Sequence, residues 1–337
     1  MTTVLERIRQ CIAGSKLAEK LSHQAGAAVA LIGTDTFHLF PIGRGLEADT
    51  PVEIGSVTKV FTALLFADAL GRQELQYDTR IDQLLFGETW TGPPAIDAGQ
   101  LATHTSGLPR LSVSKPSILL HMLHTRDPYS IYDRRHLMDY LQKHQPRTPQ
   151  TPQVSYSNFG YAVLGLMLEK AASKSYEELL RERLLVPLGM GATSLQLVGT
   201  KDRPMPGHDG NGRPASLWHM DGYAPCGAMV STVNDLTLAV RAFLDSASPV
   251  AKALEVSLQP RAPMPGGNIG LAWIFPASGN SFWHNGATAG YTSYLGVCML
   301  RKTGIVIVAN QALPKEATEL GHQLIRLVAE QQEGPLG

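Results

Sequence analysis

Runs that read as β-strands lie at the two ends of this 337-residue chain, with a long stretch of helical character between them. Near the N-terminus Gly26-Ala27-Ala28-Val29-Ala30-Leu31-Ile32-Gly33 reads as a buried strand, Thr34-Asp35-Thr36 as a turn, and residues 37–42 as the hairpin mate. Beyond Pro265 the segments 269–275, 281–283, 292–300 and 304–311 have strand character, and 316–332 carries the period of an amphipathic helix. The economical way to bury strands from both ends is one shared sheet. The sequence thus predicts an α/β fold of the α+β type. Residues 1–55 and 260–337 would form an antiparallel sheet domain flanked by terminal helices, with 56–259 inserted as a mainly helical domain and the active site at the junction.

The middle opens on Ile54-Gly55-Ser56-Val57-Thr58-Lys59, followed by Val60, Phe61, Leu64, Leu65, Phe66 and Ala67. A helix beginning near Ser56 carries Lys59 one turn on and on the same face, which sets a nucleophile beside a proton acceptor. First-turn N–H groups of a helix have no internal partner, so the Ser56 amide is free to face a developing oxyanion. An isolated S-x-x-K is more often an N-capping serine followed by a chance lysine. Here the lysine lies in an otherwise apolar helix, where an ammonium is costly unless paired or deprotonated. Its partners must come from elsewhere in the chain.

Pro146, Pro149 and Pro152 force an extended approach to Tyr156 and Asn158, which alternate ahead of a helix over 162–172 and therefore point to one side. His284-Asn285-Gly286 continues the strand region at Trp283. His104 reads as a helix-end histidine that bonds its own loop rather than as a base. Cys226 beside Gly227 reads as close packing, and Cys11, Cys226 and Cys298 give no disulfide framework. His208-Asp209-Gly210-Asn211-Gly212 lacks the later acidic ligands of a calcium loop and reads as a hairpin turn. No metal and no cofactor is expected.

Charge excludes some partners. Lys plus Arg and Asp plus Glu both number 29, and without a basic block no nucleic-acid partner is expected. The first twenty residues mix charges with Ile8, Ile12 and Leu17 in an amphipathic helix pattern, unlike a signal peptide, and no uncharged apolar run reaches membrane-spanning length. The expectation is a cytoplasmic protein with no membrane partner.

With Ser56-Val57-Thr58-Lys59, Tyr156-Ser157-Asn158 and His284-Asn285-Gly286 in that order, the chain resembles the serine β-lactamase and penicillin-binding-protein family. More narrowly it is similar to the class C branch, which includes DD-peptidase-like carboxypeptidases and esterases. The likeness runs over nearly the whole chain, through Thr103-His104-Thr105-Ser106-Gly107-Leu108-Pro109, Phe159-Gly160-Tyr161 and Pro187-Leu188-Gly189-Met190. It implies a β-lactamase/transpeptidase-like fold and a Ser56 acyl-enzyme, with Lys59 and Tyr156 sharing proton removal and either one as the base. It implies further that Asn158 orients Lys59 and the substrate amide, that His284, Asn285 and Gly286 flank the acyl group, and that the Ser56 and Ala287 N–H groups hold the oxyanion.

The implied partner is a small-molecule or peptide-like ester, amide or lactam. Histidine at 284 departs from the lysine usual in class C β-lactamases proper. A fixed cation there suits a β-lactam carboxylate, whereas histidine is only partly charged near neutral pH, so carboxypeptidase- or esterase-like hydrolysis is favoured over efficient penicillin turnover. An acyltransferase or peptide-releasing enzyme using the same acyl-enzyme is the alternative. A non-catalytic binding protein fits an intact Ser56, Lys59 and Tyr156 less well.

Overall fold

Residues 3–44, 46–112, 127–195, 204–279 and 281–330 are described by the computed structural model, and within them both ends of the chain meet in one sheet. In chain order the strands are β1 (Gly26–Gly33), β2 (Phe37–Gly43), β3 (Val52–Glu53), β4 (Ser194–Leu195), β5 (Met229–Ser231), β6 (Ala262–Met264), β7 (Gly267–Ile269), β8 (Ile274–Pro276), β9 (Phe282–Ala287), β10 (Thr292–Cys298) and β11 (Thr303–Ala309). The main antiparallel sheet runs β2-β1-β11-β10-β9-β8-β7-β6, and β11 joins the two chain ends, pairing Ile307 with Val29 on one side and with Tyr294 on the other. A small sheet, β3-β5-β4, stands apart from it and ties the approach to Ser56 to the Met229–Ser231 segment. From the sequence, Gly43-Arg44-Gly45 is expected to close the first strand pair and the segments 116–152 and 201–222 to wall the pocket; of these, Gly45, 116–126 and 201–203 lie outside the described residues.

Successive strand residues face opposite ways, so β1 sends Ala27, Val29 and Leu31 to one side and Ala28, Ala30 and Ile32 to the other. The first side is covered by the helices Val4–Ala13, Lys16–Lys20 and Pro314–Ala329, whose Ile8, Ile12, Leu17, Leu320, Leu324 and Val328 complete one core. On the other side the helix Val233–Leu244 packs on β1 and β11, and the apolar layer continues into the helical middle without a break. At roughly 1.5–3 kcal/mol for each large apolar side chain removed from water, this second core is the main store of stability.

Two local departures from expectation have clear causes. The N-terminal helix breaks at Gly14, and Ser15 caps a second helix by accepting from the Ala18 N–H at 3.2 Å. The single strand expected over 269–275 is two strands, β7 and β8, joined by a turn in which Gly270 N–H bonds the Trp273 carbonyl. Leu271, Ala272 and Trp273 are apolar because this turn is fully buried, not because they alternate in a strand. The helix Thr58–Gly71 is buried on nearly all sides, as its all-round apolar character requires. Among the described residues, no helix is long and apolar enough to cross a membrane.

Candidate active site

Gly55–Val57 forms a 3-10 turn that feeds the buried Thr58–Gly71 helix, and the turn abuts β9. Gly55 has φ +48°, a left-handed conformation open to glycine, and a Cβ there would stand 2.8 Å from the Ala287 nitrogen. Glycine at 55 is therefore what lets Ser56 approach the strand. Ser56 Oγ lies 2.7 Å from the Tyr156 hydroxyl and 3.1 Å from Lys59 Nζ. Lys59 is fully buried and also donates to Asn158 Oδ1 at 2.8 Å and to the Cys226 carbonyl at 2.7 Å. The three N–H groups of the ammonium thus meet three neutral oxygens, and no carboxylate among the described residues pairs with it. It also lies 4.8 Å from the Tyr156 ring centroid, within cation–π range.

Tyr156 and Asn158 reach this point through a capped turn. Ser157 is extended, donates its hydroxyl to the Pro109 carbonyl and accepts from the Gly160 N–H at 2.8 Å, starting the helix Asn158–Ala172. Asn158 is thus the first residue of that helix rather than part of an extended run, yet its side chain still meets Lys59. Its Nδ2 donates to the Tyr129 hydroxyl at 2.7 Å, so both ends of the amide are fixed.

His104 does not bond its own loop. Its Nδ1 accepts from the Ser157 N–H at 3.1 Å, and its ring packs on Tyr156 at 4.5 Å between centroids. Burial first, then the positive charges of Lys59 and Arg110 and the neighbouring His284, hold its pKa well below the usual histidine value. Neutral, and with Nδ1 accepting, it carries its proton on Nε2 and serves as a wall behind Tyr156.

Strand β9 alternates. His284 and Gly286 face the buried side with Phe282, while Asn285 faces the terminal helix and donates Nδ2 to Thr318 Oγ1 at 2.9 Å. The Asn285 side chain is thus held by the terminal helix, on the opposite face of the strand from His284 and Gly286. His284 is buried, its ring centroid 6.3 Å from that of Tyr156. Desolvation and then the Lys59 charge push its pKa down to about 3. Its Nδ1 meets the Asn285 carbonyl at 2.6 Å, and since a carbonyl only accepts, Nδ1 carries the proton and Nε2 is left as an acceptor. Further along, the Thr288 N–H bonds the Tyr291 carbonyl, which makes Ala287 and Thr292 a non-hydrogen-bonded pair. The Ala287 N–H accordingly points off the β10 ladder, on the side where Gly55 packs.

Three contributors escaped the sequence reading. The Cys226 carbonyl holds Lys59, a role any residue type could supply. The Cys226 thiol is fully buried, and desolvation raises its pKa to about 11, which disfavours the thiolate. Tyr129 holds Asn158 from a segment without periodicity. Arg110 sets its guanidinium carbon 5.2 Å from the Tyr156 ring centroid, directly after the Ser106-Gly107-Leu108-Pro109 turn.

Comparison with known proteins identifies the family and the fold. The Beta-lactamase family model matches residues 15–330. Penicillin-binding protein 4 of Amycolatopsis lactamdurans is 26% identical over 310 residues, covering 82% of this chain and 78% of that protein. A beta-lactamase of Escherichia coli (strain K12) is 24% identical over 341 residues, covering 87% and 85%. Among solved structures, a beta-lactamase/D-alanine carboxypeptidase from Pseudomonas syringae superposes with a TM-score of 0.78 at 20% identity over 98% of both chains. A mutant class C beta-lactamase gives 0.77 at 18% identity over 95% of this chain and 97% of that one. A fold shared end to end, and a family match that takes in Ser56, Lys59, Tyr156 and His284 alike, leave one conclusion: the chain belongs to the beta-lactamase family of serine hydrolases.

Proposed function

We propose that this protein hydrolyses an ester or amide bond of a small or peptide-like substrate through an acyl-enzyme on Ser56, in the manner of a carboxypeptidase or esterase. The observation that carries the reading is the Ser56 hydroxyl held between Tyr156 and Lys59, with Lys59 buried against neutral oxygens only. Ser56 Oγ attacks the substrate carbonyl carbon while its proton passes to the Lys59–Tyr156 pair, which for this step stands one proton short of ammonium plus phenol, as neutral Lys59 or as the Tyr156 phenolate. The Ser56 and Ala287 N–H groups hold the resulting oxyanion. Collapse of the tetrahedral species breaks the bond to the leaving group, which takes a proton from the Tyr156 hydroxyl. Water then attacks the ester carbonyl and gives its proton to the same pair; collapse breaks the bond to Ser56 Oγ, which takes that proton back as the acid leaves. Asn158 keeps Lys59 aimed at Ser56, and Gly286 leaves room beside the acyl group.

A neutral His284 supports ester and amide substrates over penicillins. It offers Nε2 as a hydrogen-bond acceptor and no fixed positive charge for a β-lactam carboxylate. Rapid mixing with p-nitrophenyl acetate tests the reading: a stoichiometric burst of p-nitrophenolate that Ser56→Ala abolishes supports it. An equal burst from the variant would contradict it.

A further inference from the structure

Glu53 is the last residue of β3, only 3% exposed, and lies three residues before Ser56. It pairs with Val230 in the small sheet, and its Oε1 accepts from the Trp218 N–H at 3.1 Å. Among the described residues its Oε2 is buried without a hydrogen-bond partner, and so is Oγ1 of Thr288, the residue directly after β9. The two side chains are neighbours, since the Thr288 hydroxyl opposes the effect of burial on the Glu53 carboxyl. A hydrogen bond between them would satisfy both atoms. The ionisable neighbours of Glu53 are Asp127, whose Oδ2 meets His219 Nδ1 at 3.3 Å, and Tyr291. Among the described residues no cation pairs with Glu53, and burial raises its pKa to about 7, so the acid form persists to neutral pH.

We propose that Glu53 is a positioning residue of the Ser56 site: as the neutral acid it hydrogen-bonds Thr288, ties the small sheet to the end of β9, and so holds the Ser56 and Ala287 N–H groups at one oxyanion. Its leverage is covalent, because Glu53 leads into Ser56 through Ile54 and Gly55, and Thr288 directly follows Ala287. Ala287 is the last residue of β9, a non-hydrogen-bonded position where the ladder gives way to the turn at Tyr291, so a side-chain tie at 288 fixes a donor that the ladder does not. Neutrality has its own effect, since a carboxylate behind the site would oppose the negative charge that grows on the substrate oxygen. The inference rests on the Ser56 acyl-enzyme reading and deepens it by naming what aligns the two donors.

The test measures p-nitrophenyl acetate hydrolysis by the native chain, Glu53→Gln, Glu53→Leu and Thr288→Val. At about pH 6, kcat and kcat/KM are expected to fall together, roughly 10-fold, in Glu53→Leu and in Thr288→Val, because a contact realised in the transition state is misaligned. Glu53→Gln, whose amide can bond both Trp218 and Thr288, should stay within about 3-fold of native. Between about pH 6 and about pH 8.5 the ratio of native to Glu53→Gln kcat should fall at least about 3-fold, since titration of the Lys59–Tyr156 pair is common to both chains and cancels. Native kcat in Glu53→Leu and Thr288→Val, or a ratio that does not change with pH, overturns the proposal. A second arm compares urea midpoints of Glu53→Leu, Thr288→Val and the double variant, all in a Ser56→Ala background. A double variant that loses less than the sum of the single losses supports the tie, and additive losses overturn it whatever the ester assays give. Failure of the Ser56 reading shows separately, as native activity in Ser56→Ala.

Discussion

The Cα of Gly286 in β9 packs against the carbonyl of Ile54, two residues before Ser56: a Cβ at 286 would stand 2.1 Å from that oxygen and 2.4 Å from Ser293 Oγ. Ser293 Oγ already donates to the same carbonyl at 2.6 Å, so the contact is filled. Gly286→Ala must therefore push β9 away from the Gly55–Val57 turn. The expected cost is about 1–3 kcal/mol of stability, the usual range for overpacking. Because the same shift moves the Ala287 N–H from where the proposed mechanism needs an oxyanion donor, turnover is expected to fall by roughly 10²-fold or more. Urea titration and ester kinetics on one preparation read both effects.

Lys59 separates rate from stability. Lys59→Met removes the ammonium and leaves Asn158 Oδ1 and the Cys226 carbonyl without that donor, at about 1–3 kcal/mol for each unsatisfied group, while relieving a buried charge. The variant is expected to fold, with a cooperative urea transition, and to lose roughly 10²- to 10⁴-fold in kcat/KM, the range for removing a general acid–base group. Tyr156→Phe is expected to lose a comparable factor. Full activity in either variant would remove that residue from the proton-transfer pair.

His284 is expected to stay neutral throughout the working pH range. With its pKa pushed down to about 3, its ring signals in NMR should not shift between about pH 5 and about pH 8, whereas an exposed histidine titrates there. The linkage has a definite sign. The unfolded chain takes up a proton at this residue near the ordinary histidine value of 6.5, so stability is lost as pH falls from about 6.5 towards about 3. A His284 titration midpoint near neutrality would restore a partial cation to this strand and favour substrates with a carboxylate beside it.

Much of this arrangement was legible because it rests on residue type and order. The apolar runs at both chain ends predicted the shared sheet. The buried setting of Lys59 predicted that partners would come from afar, and it meets Asn158 and the Cys226 carbonyl. The contacts that escaped were of two kinds. A backbone carbonyl such as that of Cys226 has no side-chain signature, and Tyr129 and Arg110 lie in segments where no periodicity fixes direction. That Asn285 faces away from His284 and Gly286 was also legible, since alternation in a strand requires it. The buried turn at 271–273 was not legible, because an apolar run reads alike in a strand and in a buried loop.

Glu53, three residues before Ser56, gives the fold a second pH dependence. It is almost wholly buried and accepts from the Trp218 N–H at 3.1 Å. Burial, aided by the Asp127 carboxylate, raises its pKa from 4.5 to about 7 against the opposing effect of Thr288 and the Trp218 N–H. Between those values the folded chain keeps a proton that the unfolded chain has released, so stability falls as pH rises through the window, by ~3 kcal/mol once above it. Glu53→Gln keeps an acceptor for Trp218 and removes the ionisation. Its stability relative to the native chain is expected to rise from about pH 4.5 to about pH 8.5, read as urea midpoints at each end.

The central claim is that Ser56 takes up the acyl group. Intact-mass spectrometry of the protein quenched in acid during turnover of an activated ester, followed by peptide mapping, measures this directly. The account predicts one added acyl mass, located on the peptide containing Ser56 and missing from Ser56→Ala. An adduct on Cys226, or an unlabelled Ser56 peptide during steady turnover, would contradict it.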